Sequence, residues 1–193
     1  NKMRRPLVAG NWKMHGSQAS ARQLLTDLIS QPIAGSVDVA VCPAYVHLAQ
    51  ALELTGNAAI AVGAQDCSHM DSGAFTGEVS PPMLKDLGCE WVIIGHSERR
   101  QYHEESDALI AAKIKAAVTA SLKPIVCVGE TQQQREDGEA QFVVARQLTG
   151  ALGDQPDLTG LVIAYEPVWA IGTGKVATTE QADGDVDYTE IDI

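Results

Sequence analysis

Residues 161–175 read LVIAYEPVWAIGTGK, and this stretch decides the fold. Leu161 to Tyr165 is a short apolar run with a β-branched centre and no charge, the pattern of a strand buried on both faces. Glu166 ends the run, and Pro167 cannot continue a ladder. A buried parallel strand that delivers an acid to its C-terminal end places that acid where α/β folds hold their chemistry. The loop beyond has a Pro–aromatic start, glycines at 172 and 174 and a basic end at Lys175, so it is built to move as one piece. Taken alone, Glu166 beside a Gly-rich turn is more readily an ordinary exposed loop end, because fold position by itself is weak evidence of function.

The rest of the chain supplies the context. Leu7–Gly10 is a first apolar run, and it leads into Asn11, Trp12 and Lys13. Ser17 then caps a helical pattern with Leu24, Leu25, Leu28 and Ile29 on its apolar face. A second run, Val37–Cys42, stops at Pro43 and is followed by an amphipathic segment with Val46, Leu48, Leu52 and Leu54. The third run, Ala59–Ala64, opens a long loop from Gln65 to Ser80, a length that usually carries function. Ser80-Pro81-Pro82 starts another helix. The fourth strand, Trp91–Gly95, delivers His96-Ser97-Glu98-Arg99-Arg100. A helix over about 106–120 follows, with Leu109, Ile110, Ile114, Ala117 and Val118 inward. The fifth strand, Pro124–Val128, ends at Gly129-Glu130, and Thr131 with Gln134 forms a capping box for a helix that reaches Gly153.

Six strand starts about thirty residues apart are the size of repeated βα units. Such units give a doubly wound sheet or a closed barrel. No GxGxxG follows the first strand, which counts against a dinucleotide fold. Polar residues at the C-terminal ends of strands one, four and six favour a shared barrel-top site. The expected fold is therefore α/β, a (β/α)8-type barrel.

Composition narrows the function. A net charge of −11 argues against a general nucleic-acid or membrane-surface role, though a few local donors still suffice for a small anion. The four cysteines, Cys42, Cys67, Cys89 and Cys127, show no CxxC pair and no zinc spacing, so buried free thiols are expected. The N-terminal residues lack an apolar signal core and no run is long enough to span a bilayer, which predicts a reducing, cytoplasmic setting.

Singly, each polar strand end has a bland reading. Lys13 suits a solvated lysine, Asn11 a turn, His96 a helix entry, and Glu98 a local pair with Arg99 or Arg100 of little energetic value. Jointly, a Lys, a His and a Glu converge at one barrel mouth. VAGNWKM, IIGHSERR, CVGE and AYEPVWAIGTGK, in this order and on these strands, resemble the triosephosphate isomerase family, and the likeness runs from Arg4 to about Ala182.

That resemblance implies an aldose–ketose isomerase of glycolysis and gluconeogenesis, interconverting dihydroxyacetone phosphate and glyceraldehyde 3-phosphate through an enediolate. It implies Glu166 as the base that moves a proton between the two carbons. It also implies His96 as a neutral electrophile, since a helix beginning near Ser97 puts positive potential on the ring and favours its uncharged form. Lys13 supplies fixed positive charge and Asn11 an amide donor. Glu98 resembles the acid behind these groups, and Cys127 the family's buried thiol near the site. Loop 167–177 is similar to the family's lid, with the Gly172 N–H reaching the phosphate. Loop 65–79 resembles the arm that enters a partner subunit in a homodimer, with Thr76 at its tip and Glu78 and Arg99 serving arm and interface. No metal or organic cofactor is implied.

The sequence also departs from the family. Six strands stand where a closed barrel needs eight, so an incomplete barrel spanning 4–182 is expected, with free edges on strands one and six. Residues 183–193, DGDVDYTEIDI, carry five acids, no base and one glycine. They are expected as an irregular acidic tail, although the Val186/Tyr188 alternation is compatible with a strand. Two alternatives to the isomerase are a partial barrel acting as an assembly module through loop 65–79 and its open edges, and another sugar-phosphate barrel enzyme.

Overall fold

The computed structural model describes residues 5–169 and the backbone of residues 191–192. The chain alternates strand and helix, as the apolar runs and caps require. In order, the elements are β1 (Leu7–Asn11), α1 (Gln18–Ser30), β2 (Asp38–Cys42), a single 3-10 turn (Tyr45–His47), α2 (Leu48–Thr55), β3 (Ala61–Ala64), α3 (Pro81–Leu87) and β4 (Trp91–Ile94). These are followed by α4 (Ser97–Tyr102), α5 (Asp107–Thr119), β5 (Lys123–Val128), α6 (Gln132–Glu136), α7 (Ala140–Leu152), β6 (Val162–Tyr165) and β7 (Ile191–Asp192). Every strand pairing is parallel, and the sheet order is β6-β5-β4-β3-β2-β1-β7. Six consecutive βα-type strands therefore neighbour one another in sequence order and curl into a partial (β/α)8-type barrel, carrying all their C-terminal ends to one rim.

Alternate residues of each strand serve two apolar layers. Val41, Val62, Val92, Ile94 and Val126 face the helices, where Leu25, Leu48, Leu84, Ile110 and Ile114 cover them. Ala40, Cys42, Trp91, Ile93, Ile125, Cys127 and Ala164 form the inner layer. The inner layer depends on a small residue at Gly63, where a Cβ would stand 2.9 Å from both Cys42 Sγ and Trp91 Cβ. All four cysteines are buried. Burial pushes the Cys67 thiol up to about 12 and the Cys89 thiol to about 11, so neither is a thiolate near neutrality.

The predicted caps are in place. Ser17 caps α1, Ser80 caps α3, and Thr131 with Gln134 forms the capping box of α6; Ser106, not singled out as a cap from sequence, also caps α5. Five details differ from the sequence reading. The helix expected to run from Thr131 to Gly153 is broken into α6 and α7 near Gly138, which adopts φ +75°. Val46 lies in the 3-10 turn rather than on the inner face of α2, and it is 82% exposed. Leu24 and Ile29 lie on the outer side of α1, whose buried contacts are Ala21 and Leu25. β6 is only half-buried at Val162 and Ile163, because among the described residues it has a neighbour on one side alone. The edge of β1 is not free: Gly10 and Asn11 pair in parallel with Ile191 and Asp192, so the end of the acidic segment joins the sheet.

Candidate active site

Three strand ends meet at the rim. β1 ends on Asn11, which is buried and whose Oδ1 accepts the Lys13 N–H at 3.0 Å. β4 ends at Ile94, and Gly95 then turns the chain at φ +77°, a left-handed value that suits glycine. That turn sets His96 as the N-cap of α4. β6 delivers Glu166, whose N–H bonds the Val128 carbonyl at 2.7 Å. The two strands close so tightly that any side chain at Gly129 would collide with the Glu166 carbonyl.

The side chains form one file. Lys13 Nζ lies 3.2 Å from Glu98 Oε1. Glu98 Oε2 lies 3.6 Å from His96 Nδ1, and His96 Nε2 lies 3.4 Å from Glu166 Oε1. His96 and Glu166 are both 3% exposed, whereas Lys13 and Glu98 reach solvent. The ring of His96 has a defined polarity: Nδ1 accepts the Glu98 backbone N–H at 3.2 Å, which leaves Nε2 to carry the proton. Among the described residues, His96 Nε2 and Glu166 Oε1 are buried without a hydrogen-bond partner. The other carboxylate oxygen of Glu166 is tethered, accepting from Ser97 Oγ at 2.7 Å and from the Ser97 N–H at 3.4 Å.

Beside this file opens a cleft of about 720 Å³, lined among others by Asn11, Lys13, Tyr45, Gln65, His96 and Glu98. It offers amide, ammonium and imidazole donors at one end, a set suited to a small anionic ligand with oxygen substituents. Among the described residues no three His, Cys, Asp or Glu side chains gather around a possible metal position.

Comparison with known proteins decides the family. The triosephosphate isomerase family model matches residues 6–188. A triosephosphate isomerase of Herminiimonas arsenicoxydans is 53% identical over 182 residues, and one of Moorella thermoacetica 52% identical over 184. A third, of Nitrosococcus oceani, is 50% identical over 187 residues. Each alignment covers 93% of this chain and 73% of the relative. The chain belongs to the triosephosphate isomerase family.

The match to this family extends past Ala182, where the motif likeness ends, into the acidic segment. Of the residues singled out from sequence, Asn11, Lys13, His96, Glu98 and Glu166 come together at the rim. Glu98 faces Lys13. Cys127 lies one layer down, in register with Ala164 on the inner face. Thr76 and Glu78 are exposed on loop 65–79, where Glu78 accepts the Ser68 hydroxyl at 2.6 Å and steadies the arm internally. Arg99 binds Asp66 at 3.1 Å and Glu105 at 2.6 Å, at the base of the same arm. Gly172 and the greater part of loop 167–177 lie outside the described residues.

Sequence reasoning did not single out four supporting groups. Ser97 holds Glu166, and Gln65 bonds the carbonyls of Lys13 and Cys42. Lys113 is buried beneath the arm, 2.9 Å from both Asp66 and Glu105. Glu130 is wholly buried and accepts from Tyr165 Oη at 2.5 and 2.8 Å, Arg135 at 2.6 Å and Trp169 Nε1 at 3.4 Å. With the Val168 N–H on the Glu130 carbonyl at 3.1 Å, this fastens the first residues after Glu166 to the end of β5. Burial and the neighbouring Glu130 carboxylate push the Tyr165 hydroxyl well above the usual phenol range, so it stays a donor. A signal for Lys113 existed: it shares the helical stripe of Ile110, Ile114 and Ala117, where a lysine needs buried partners.

Proposed function

We propose that this chain is a triose-phosphate isomerase, interconverting dihydroxyacetone phosphate and D-glyceraldehyde 3-phosphate in glycolysis and gluconeogenesis. The observation that carries this reading is the buried pair His96 Nε2 and Glu166 Oε1, 3.4 Å apart and, among the described residues, without hydrogen-bond partners. A carbonyl carbon and its neighbour need a base at carbon and a donor at oxygen, and this pair supplies both from the ends of β4 and β6. The family match supports the isomerase over the interaction-module reading.

In this reading Glu166 leaves Ser97, takes a proton from the carbon beside the carbonyl and returns it to the other carbon. His96 donates its Nε2 proton to the carbonyl oxygen as charge develops there. Having given that proton, the same Nε2 takes one from the neighbouring hydroxyl, since Nδ1 is occupied by the Glu98 N–H. The N–H of Glu98, fixed on Nδ1, keeps the tautomer that this requires. Lys13 offsets the negative charge of enediolate and phosphate, Asn11 donates from its amide, and Glu98 holds Lys13 in reach. By family likeness Gly172 contacts the phosphate. No step needs a metal or organic cofactor.

Two further parts of the reading rest on family likeness. Loop 65–79 joins two copies as a homodimer, with Thr76, Glu78 and Arg99 at or behind the contact. A cytoplasmic setting suits four buried cysteines with no CxxC pair. The net charge of −11 disfavours a nucleic-acid partner, and no helix among the described residues is long and apolar enough to cross a membrane.

Proton transfer at carbon is tested by incubating dihydroxyacetone phosphate with the chain in deuterium oxide. Deuterium entering the carbon-bound positions, followed by NMR, supports the reading, provided Glu166→Gln abolishes the exchange. Conversion that persists in Glu166→Gln overturns it.

A further inference from the structure

Lys13 has a backbone of a kind that lysine rarely adopts. Its φ is +51°, in the left-handed region where a side chain crowds the following carbonyl. Such a conformation persists only where the surroundings over-determine it. Here both polar groups of the residue's main chain are held by side chains from the strand ends. The Lys13 N–H is taken by Asn11 Oδ1 at 3.0 Å, and the Lys13 carbonyl accepts from Gln65 Nε2 at 2.8 Å. The same Gln65 nitrogen donates to the Cys42 carbonyl at 2.9 Å. Gln65 is the first residue after β3, and Cys42 is the last of β2. One primary amide thus pins the turn after β1 to the ends of the two neighbouring strands.

We propose that Gln65 is a positioning residue: it fixes the left-handed backbone of Lys13 and so aims the ammonium at the ligand. This rests on the assignment of Lys13 as the positive charge that meets the anionic substrate. The residue type fits the task. A primary amide carries two N–H bonds and can serve two carbonyls at once, whereas a carboxylate has none and asparagine is one methylene short. Without Gln65 the Lys13 carbonyl loses this hydrogen bond, and the left-handed backbone is less constrained against relaxing to negative φ. That rotation swings the side chain away from its present position 3.2 Å from Glu98, on the rim shared with His96. Electrostatic stabilisation that depends on a preset charge weakens when the charge must be reoriented.

The test is a double-mutant cycle on Gln65→Met and Lys13→Ala, read as the dissociation constant of 2-phosphoglycolate, a phosphorylated carboxylate resembling the enediolate, by calorimetry. Any effect of Gln65→Met through folding or subunit association acts on both backgrounds, whereas an effect through Lys13 needs Lys13 to be present. The expected result is about a tenfold weakening on the native background, less than twofold on Lys13→Ala, and a matching fall in kcat/KM for Gln65→Met alone. If Gln65→Met is insoluble, Gln65→Asn, which keeps the amide and shortens its reach, completes the same cycle. Equal weakening on both backgrounds overturns the proposal while leaving Lys13 in its role. Lys13→Ala binding the probe as tightly as the native chain shows instead that the assignment of Lys13 was at fault, and the proposal falls with it.

Discussion

Ser97 Oγ donates a 2.7 Å hydrogen bond to Oε2 of Glu166, joining the first residue of α4 to the first residue after β6. The proposed base is thus stored on a neighbour that is itself fixed by the capping turn of His96. A hydrogen bond to a buried carboxylate contributes about 1.5–3 kcal/mol. Ser97→Ala is therefore expected to lower stability by about 2 kcal/mol in urea titrations, more than an ordinary surface substitution costs. An unchanged midpoint would show that Glu166 is not held there in solution.

His96 yields a sharper prediction. With Nδ1 accepting the Glu98 N–H, nitrogen NMR of the ring should show an unprotonated Nδ1 and a protonated Nε2 at neutral pH. His96→Gln retains an N–H donor but not a ring that can donate and accept in turn. Its kcat should fall about a hundredfold with a smaller change in KM. A similar kcat in the variant would remove His96 from the chemistry.

The buried cluster under the arm sets the pH response. Burial works against the charge on Glu105, but the bonds from Lys113 and Arg99 outweigh it and hold this acid below the usual carboxylate range. Burial likewise works against the charge on Lys113, but Asp66 and Glu105 outweigh it and hold this amine above its ordinary value. Glu105 therefore contributes stability above about pH 4.3 that is lost as pH falls through its lower folded value. Lys113 contributes stability below about pH 10.4 that is lost as pH rises through its higher folded value. Lys113→Met leaves two acids short of a partner and should cost about 3 kcal/mol near neutrality. Burial holds the Asp66 carboxyl above its usual range despite Lys113 and Arg99, so the difference between the two chains should hold through neutrality and shrink toward acid and base. Urea midpoints measured from acid to base check it.

Much of this was legible because each feature had a local cause. Short continuous apolar runs and side-chain caps placed six strands and most of the helices, and Pro167 and Pro43 marked where strands stop. The rim residues were legible because they follow strands directly. What the sequence hid depends on distance. Gln65 acts on Lys13 across 52 positions, and Ser97 on Glu166 across 69, so no spacing rule connects them. The break at Gly138 was misread because a capping box announces where a helix starts but says nothing of how far it runs. β6 read as fully buried from its composition, but burial on both faces also needs neighbours on both sides, which sequence pattern does not count. The pairing of Ile191–Asp192 with β1 was likewise hidden, because the alternation legible in the acidic segment lies at Val186 and Tyr188 and not at the residues that pair.

The central claim is that Glu166 is the proton-transfer base of a working isomerase, and a coupled assay on this chain tests it most directly. Glyceraldehyde 3-phosphate is supplied and dihydroxyacetone phosphate is read through a coupled dehydrogenase, for the native chain and for Glu166→Asp. Shortening the acid by one methylene withdraws the carboxylate by about 1 Å, a displacement that lowers rate about a hundredfold when geometry is decisive. The account predicts measurable turnover that falls by about that factor in Glu166→Asp while the substrate still binds. A native chain that is folded yet inactive, or a variant as fast as the native chain, would contradict it.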